Sequence, residues 1–202
     1  MSGLMEKAVE YLRWEVSSYS RASFKRYLVS GAGGNLSIRV PGTQTALVTP
    51  TGVSLNDVQP EEVILVNLEG EIIDSPMGLK PSKETGFHLE AYKLRPDIGA
   101  LAHLHPPHAT AFANLMQPLP LVTVSARGIL KHVPCVETAI AGSDELLQQV
   151  RKGIEENPGI CALLMREHGI LAMGKKMKTT YYVADLVEDT AKIAFVESLI
   201  KK

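Results

Sequence analysis

Apolar positions along this chain fall into two periods, and the switches between them mark out its elements. Met5, Ala8, Val9, Leu12, Val16 and Tyr19 recur at helical spacing, with Glu6, Glu10 and Arg13 on the other side, which predicts an amphipathic packing helix. The period then shortens. Leu36 to Val40 and Thr45 to Thr49 read as a hairpin joined by Pro41-Gly42-Thr43-Gln44, and Val63 to Leu68 with Glu71 to Ile73 as a second hairpin at the sheet edge. The loop Leu79 to Thr85 enters a helix that runs to about Leu94 and stops before Pro96. Ser82 is the expected N-cap, which puts Glu84 in the first turn with its carboxylate free to face a cleft.

A further strand is expected over Leu101-Ala102-His103-Leu104-His105, ended by Pro106-Pro107, which removes two backbone donors. A helix from His108 to Met116 follows, then short strands near Leu121 to Val124 and Val133 to Val136. Leu146, Leu147, Val150 and Ile154 mark an amphipathic helix capped by Ser143 and closed near Pro158-Gly159. The run Ala162 to Ile170, which contains His168, reads as a strand ending at a turn. A last helix is expected from about Thr179, with Ala184, Val187, Ala191, Ala194 and Phe195 inward. Strands grouped in hairpins, with helices between the groups and at both ends, predict an α/β fold: a single domain over 1–202 with a mostly antiparallel central sheet sandwiched between helices.

Composition narrows the function classes. With 202 residues and 45% hydrophobic content the chain can bury one sizeable core. Its 21 basic and 22 acidic residues are mixed throughout, so there is no basic stripe for nucleic acid, and a small ligand is the expected partner. No apolar run approaches the ~18 residues of a membrane span, and no charged-then-apolar export signal opens the chain. A cytoplasmic protein with no membrane association is expected. Cys135 and Cys161 stand apart in apolar surroundings, which suits buried reduced thiols.

The chemistry concentrates on histidine. In an extended strand His103 and His105 point to one face, roughly 7 Å apart along the chain. Two imidazoles so placed either share a metal ion or pack as hydrogen-bonded core residues. His168, at the end of another strand, is a third candidate ligand. The run Gly31-Ala32-Gly33-Gly34-Asn35 fails the dinucleotide fingerprint, because Leu36 takes the last glycine's place and a strand follows. It serves either a tight turn or the close approach of a ligand. Lys83 reads equally as a solvated charge or a ligand contact, and His88, one helical turn after Glu84, is within reach of the metal but reads first as core packing or support behind it. His108 and His132 are assigned no role.

Five short motifs occur in order: Gly34-Asn35-Leu36-Ser37, Thr49-Pro50-Thr51-Gly52, Pro81-Ser82-Lys83-Glu84, His103-Leu104-His105 and Glu167-His168-Gly169. Together they resemble the class II sugar-phosphate aldolase and epimerase family, over roughly Glu6 to Ala194, with the pattern nearest to its fuculose-phosphate branch. The resemblance implies one Zn2+ per subunit held by His103, His105 and His168. Glu84 is implied as an additional metal ligand and the catalytic acid/base, and Gly34, Asn35, Thr51, Gly52, Ser82 and Lys83 as the cradle of the substrate phosphate. It further implies a homotetramer acting on a phosphorylated sugar.

Three neutral imidazoles leave zinc its +2 charge and an open position, as a Lewis-acid site needs. Retro-aldol cleavage beside a ketone generates an enediolate that such an ion stabilises, so no Schiff-base lysine is required. Cleavage of a ketose phosphate such as L-fuculose 1-phosphate to dihydroxyacetone phosphate and an aldehyde is the expected reaction. The same chemistry serves a 3-oxo-tetronate 4-phosphate decarboxylase or a pentulose-phosphate 4-epimerase, and an adducin-like scaffold is the non-enzymatic alternative. A His-x-His-x-Asp-His hydrolase is disfavoured by Pro107 where the aspartate would stand, and a cupin by the lack of a glutamate at Ala109 or Thr110. The family pattern also places tyrosines over the aldehyde. Here Val124 is the nearest match to one and Ile200-Lys201-Lys202 ends the sequence, which implies loose aldehyde selectivity.

Overall fold

The computed structural model describes residues 3–201, so the ends of the 1–202 expectation lie outside the described residues. Helix α1 (Gly3–Lys25) is followed by strands β1 (Asn35–Arg39), β2 (Thr45–Val48), β3 (Ile64–Asn67) and β4 (Ile72–Asp74). Helix α2 (Thr85–Leu94) leads into β5 (Ala100–Leu104), the short helices α3 (Pro107–Ala113) and α4 (Val124–Ile129), and the two-residue strand β6 (Cys135–Val136). Helix α5 (Asp144–Glu156), the hairpin β7 (Ala162–Met165) and β8 (Gly169–Gly174), and helix α6 (Met177–Ile200) complete the order.

The strands form one sheet in the order β4-β3-β2-β1-β5-β8-β7-β6. Every neighbouring pair is antiparallel except β6 with β7. Strand alternation divides the apolar residues into two cores, one on each face. Leu36, Ile38, Ala102 and Leu104 pack with Val16 of α1 and Val187 of α6, whereas Leu101 and Leu171 pack with Phe87 of α2 and Val150 of α5. His103, two residues from Leu101, therefore lies on the face that α2 covers. No helix among the described residues is long and apolar enough to cross a membrane.

Several local expectations need correction. Leu121 to Val124 is not a strand: the Thr123 hydroxyl accepts a hydrogen bond from Ala126 N (3.1 Å) and caps α4, so a local cap overrides the β-branched composition. Ser82 is not the cap of α2. Its backbone N–H donates to Thr49 O (3.1 Å) and its carbonyl accepts from Thr85 N (3.1 Å), so the helix begins at Thr85 with Glu84 at the boundary, ahead of the first turn. Phe195 is exposed rather than inward. Helix α6 starts at Met177, two residues before the expected position. The two cysteines are free but only half-buried, and burial pushes the Cys135 thiol up to about 11.

Candidate metal centre

Period-2 alternation brings His103 and His105 to one side of the β5 end, and the antiparallel hairpin of β7 and β8 delivers His168 beside them. His103 Nε2 lies 2.9 Å from His105 Nε2 and 3.2 Å from His168 Nε2. Each imidazole offers a nitrogen within 4.8 Å of the other two. Nitrogens bound about 2 Å from one tetrahedral ion stand about 3.3 Å apart, so the spacing fits a shared divalent cation. His103 Nδ1 is 3.0 Å from Ile170 O. Donation to that carbonyl leaves its Nε2 with a lone pair directed at the cluster.

Glu84 closes one side. Its Oε2 lies 3.3 Å from His103 Nε2 and its Oε1 3.0 Å from His168 Nε2. Asn35 Nδ2 donates to Oε2 (2.8 Å), whereas buried Oε1 has no hydrogen-bond donor. A carboxylate oxygen without a donor facing three imidazoles makes an electron-rich set that a cation satisfies. Burial pushes His103 and His105 below the ordinary imidazole range, so both are neutral. Burial works against the charged form of Glu84, but His168 and the Asn35 amide outweigh it and hold the carboxyl below its ordinary range.

Tight backbone packing fixes His105. A Cβ on Gly33 would stand 2.8 Å from His105 Nδ1, and one on Gly169 would meet His105 Cδ2 at 2.9 Å and collide with the Leu104 carbonyl. His168 is presented by a turn in which Glu167 adopts a φ of 55°, with Asn114 Oδ1 accepting from Glu167 N (2.7 Å). The sequence reading missed Gly33, Asn114 and the Ile170 carbonyl. Gly33 adjoins the motif that begins at Gly34, and that was its only local signal, whereas Gly169 closes the motif that carries His168. His108 lies outside the cluster, its Nδ1 2.7 Å from Glu188 Oε1, and His132 is exposed.

The residues expected to cradle phosphate come from three segments. Gly34 sits just before β1 at a φ of 72°, where a Cβ would meet the His103 carbonyl at 3.0 Å. The Thr51-Gly52 turn is stitched to the Pro81-Ser82 segment by Thr51 N donating to Lys80 O (3.0 Å) and Ser82 N to Thr49 O. Thr51, Gly52 and Lys83 are exposed and Ser82 is half-buried. Asn35 is buried with its amide nitrogen on Glu84, so this residue stands with the carboxylate.

Comparison with known proteins shows the family and the fold. The family profile described as Class II Aldolase and Adducin N-terminal domain matches residues 15–195. The chain is 32% identical over 181 residues to the L-fuculose phosphate aldolase of Methanococcus maripaludis, covering 90% of this chain and 94% of that one. It is 31% identical to the 5-deoxy-D-ribulose 1-phosphate aldolase of Bacillus thuringiensis serovar kurstaki, covering 91% and 84%. A solved L-fuculose 1-phosphate aldolase superposes with a TM-score of 0.87 at 29% identity, covering 95% of this chain and 88% of that one.

Proposed function

The chain belongs to the class II aldolase family, and from that premise we propose that it is a zinc-dependent lyase cleaving a ketose 1-phosphate, such as L-fuculose 1-phosphate, to dihydroxyacetone phosphate and an aldehyde. The observation that carries this reading is the cluster of three Nε2 atoms, His105 and His168 standing 2.9 and 3.2 Å from His103, with the Glu84 carboxylate 3.0 Å from His168 and 3.3 Å from His103. His103, His105 and His168 would hold the ion, with Glu84 beside it. A bound Zn2+ supplies Lewis-acid stabilisation of the oxygen charge that develops as the carbon–carbon bond breaks.

The chain's own groups do the rest. Asn35 occupies Oε2 of Glu84, so Oε1 is the atom that carries the proton. In cleavage the proton that the substrate hydroxyl gives up on becoming the aldehyde is passed through Glu84 to the donor carbon, and in synthesis Glu84 takes it from that carbon for return to the new hydroxyl. Gly34, Thr51, Gly52 and Ser82 offer backbone and hydroxyl groups to the phosphate, and exposed Lys83 adds a cation. Asn35 belongs to the same cluster through its backbone position at the start of β1.

The subunits assemble as a homotetramer, for which exposed apolar side chains on α4 and α6, among them Val124, Ile129, Val196 and Ile200, supply contact surface. Two free cysteines suit a reducing cytoplasm. Assay of zinc-loaded protein with ketose 1-phosphates against phosphorylated 3-oxo acids tests the reaction. Cleavage of the former with release of dihydroxyacetone phosphate is expected, and turnover of the 3-oxo acids alone would replace the aldolase reading with decarboxylation.

A further inference from the structure

Behind Glu84 the structure contains a buried polar rank that the reaction does not itself use. Helix α2 lies along β1, and their repeats keep step: four helical residues rise about 6 Å and two strand residues about 6.6 Å. Three rungs result. Asn35 Nδ2 donates to Glu84 Oε2 (2.8 Å), Ser37 Oγ lies 2.7 Å from His88 Nδ1 and 2.9 Å from Tyr92 Oη, and Arg39 Nη2 donates to Tyr92 O (2.7 Å). Ser37, His88 and Tyr92 are wholly buried.

The direction of the bonds follows from counting protons. Tyr92 Oη has Ser37 as its side-chain partner, and only donation from Tyr92 to Ser37 and from Ser37 to His88 uses both hydroxyl protons. His88 then accepts at Nδ1 and carries its proton on Nε2, a buried donor with no partner. Phe87 stacks on His88 with ring centres 4.9 Å apart and meets His103 edge-on at 5.5 Å, so the imidazole is wedged behind the metal face. Burial keeps His88 neutral, with the Glu84 charge acting the other way across one helical turn. An apolar side chain would fill this place without leaving a buried N–H unpaired. The polar set therefore costs stability and returns a fixed register.

We infer that His88, held by Ser37 and Tyr92, is a positioning residue that sets where α2 places the Glu84 carboxylate relative to His103 and His168. This rests on the acid/base role proposed for Glu84. The ring touches no reacting atom and acts through the helix register and through the field of its Nε2–H on the carboxylate.

The test compares His88→Leu, His88→Gln and Ser37→Ala in the full chain loaded with zinc, with Glu84→Gln as a reference. Metal per subunit, KM, kcat and exchange of the α proton of dihydroxyacetone phosphate with solvent deuterium are measured. Metal content should be unchanged and KM within about twofold, while kcat and exchange fall about tenfold or more in His88→Leu and Ser37→Ala. His88→Gln should recover most of the loss, because its amide offers both an acceptor to Ser37 and an N–H donor. Should the leucine variant not fold, Ser37→Ala, which removes a single oxygen, decides. Wild-type kcat in the folded variants, or a fall that tracks lost metal in all three, would overturn the inference. Wild-type exchange in Glu84→Gln would instead remove the acid/base reading on which it stands.

Discussion

Asn35 and His103 face each other across adjacent antiparallel strands, and both reach the same carboxylate oxygen. They are register partners between β1 and β5, with Asn35 Nδ2 2.8 Å and His103 Nε2 3.3 Å from Glu84 Oε2. The strand pairing thus fixes a hydrogen-bond donor and an imidazole at one separation. Glu84, at the entry of α2, closes the triangle and keeps its other oxygen open.

Asn35→Ala should therefore act on proton transfer more than on phosphate binding. Leaving Glu84 Oε2 without its buried donor costs about 1–3 kcal/mol, and kcat should fall by roughly 10–100-fold with KM little changed. A rise in KM at constant kcat, read from steady-state kinetics, would assign the amide to the phosphate instead.

His168→Ala should remove most of the bound zinc and nearly all activity. The loss of affinity should exceed the ~10–100-fold typical of changes to supporting residues, because a ligand itself is deleted. Gly33→Ala should move in the same direction, since its Cβ would stand 2.8 Å from His105 Nδ1. Zinc per subunit by elemental analysis is the readout. Full occupancy in the His168 variant would exclude the triad.

Glu167→Asn should stabilise the protein. Glu167 holds a φ of 55°, which asparagine tolerates better, and its ion pair with Arg166 at 3.6 Å is exposed and contributes little. A gain of about 0.5–1 kcal/mol, seen as a higher denaturation midpoint in urea, is expected. An unchanged midpoint would mean that the turn carries no strain.

His88 should make the metal-free protein acid-sensitive. Burial lowers its folded pKa to about 4, whereas an unfolded histidine titrates near ~6.5. The unfolded state binds the proton first as pH falls, so this contribution is fully present above ~6.5, declines through the interval and is lost by about 4. The total is up to ~3 kcal/mol. Unfolding free energies of wild type and His88→Leu, measured from pH 7.5 to 4 at equal ionic strength, should separate as pH falls, the wild type losing stability that the variant keeps. Parallel curves would show that burial does not lower the His88 pKa in the fold.

The sequence by itself determined most of the elements and the pairing of two candidate ligands. His103 and His105 are two apart on a strand, Pro106-Pro107 ends that strand, and Ser143 caps α5 with its hydroxyl on Leu146 N at 3.2 Å, all within a few residues. Such features are legible because period and capping are local. Joining His168 and Glu84 to the pair needed the order of several motifs, since nothing local says that residues 65 positions apart meet.

Only the tertiary structure decided what each group does there. Asn35 reads as part of a glycine-rich ligand loop until β1 pairs with β5 and turns its amide to Glu84. Gly33 and Gly169 matter because both flank the His105 ring, a contact between three separate segments. Phe195 continues an apolar helical stripe yet is exposed, and Leu121 to Val124 has strand composition yet supplies a helix cap. Periodicity specifies which face of an element is apolar. Which partner that face meets, and which lone pair a buried donor reaches, depends on distances between strands that only the folded chain fixes.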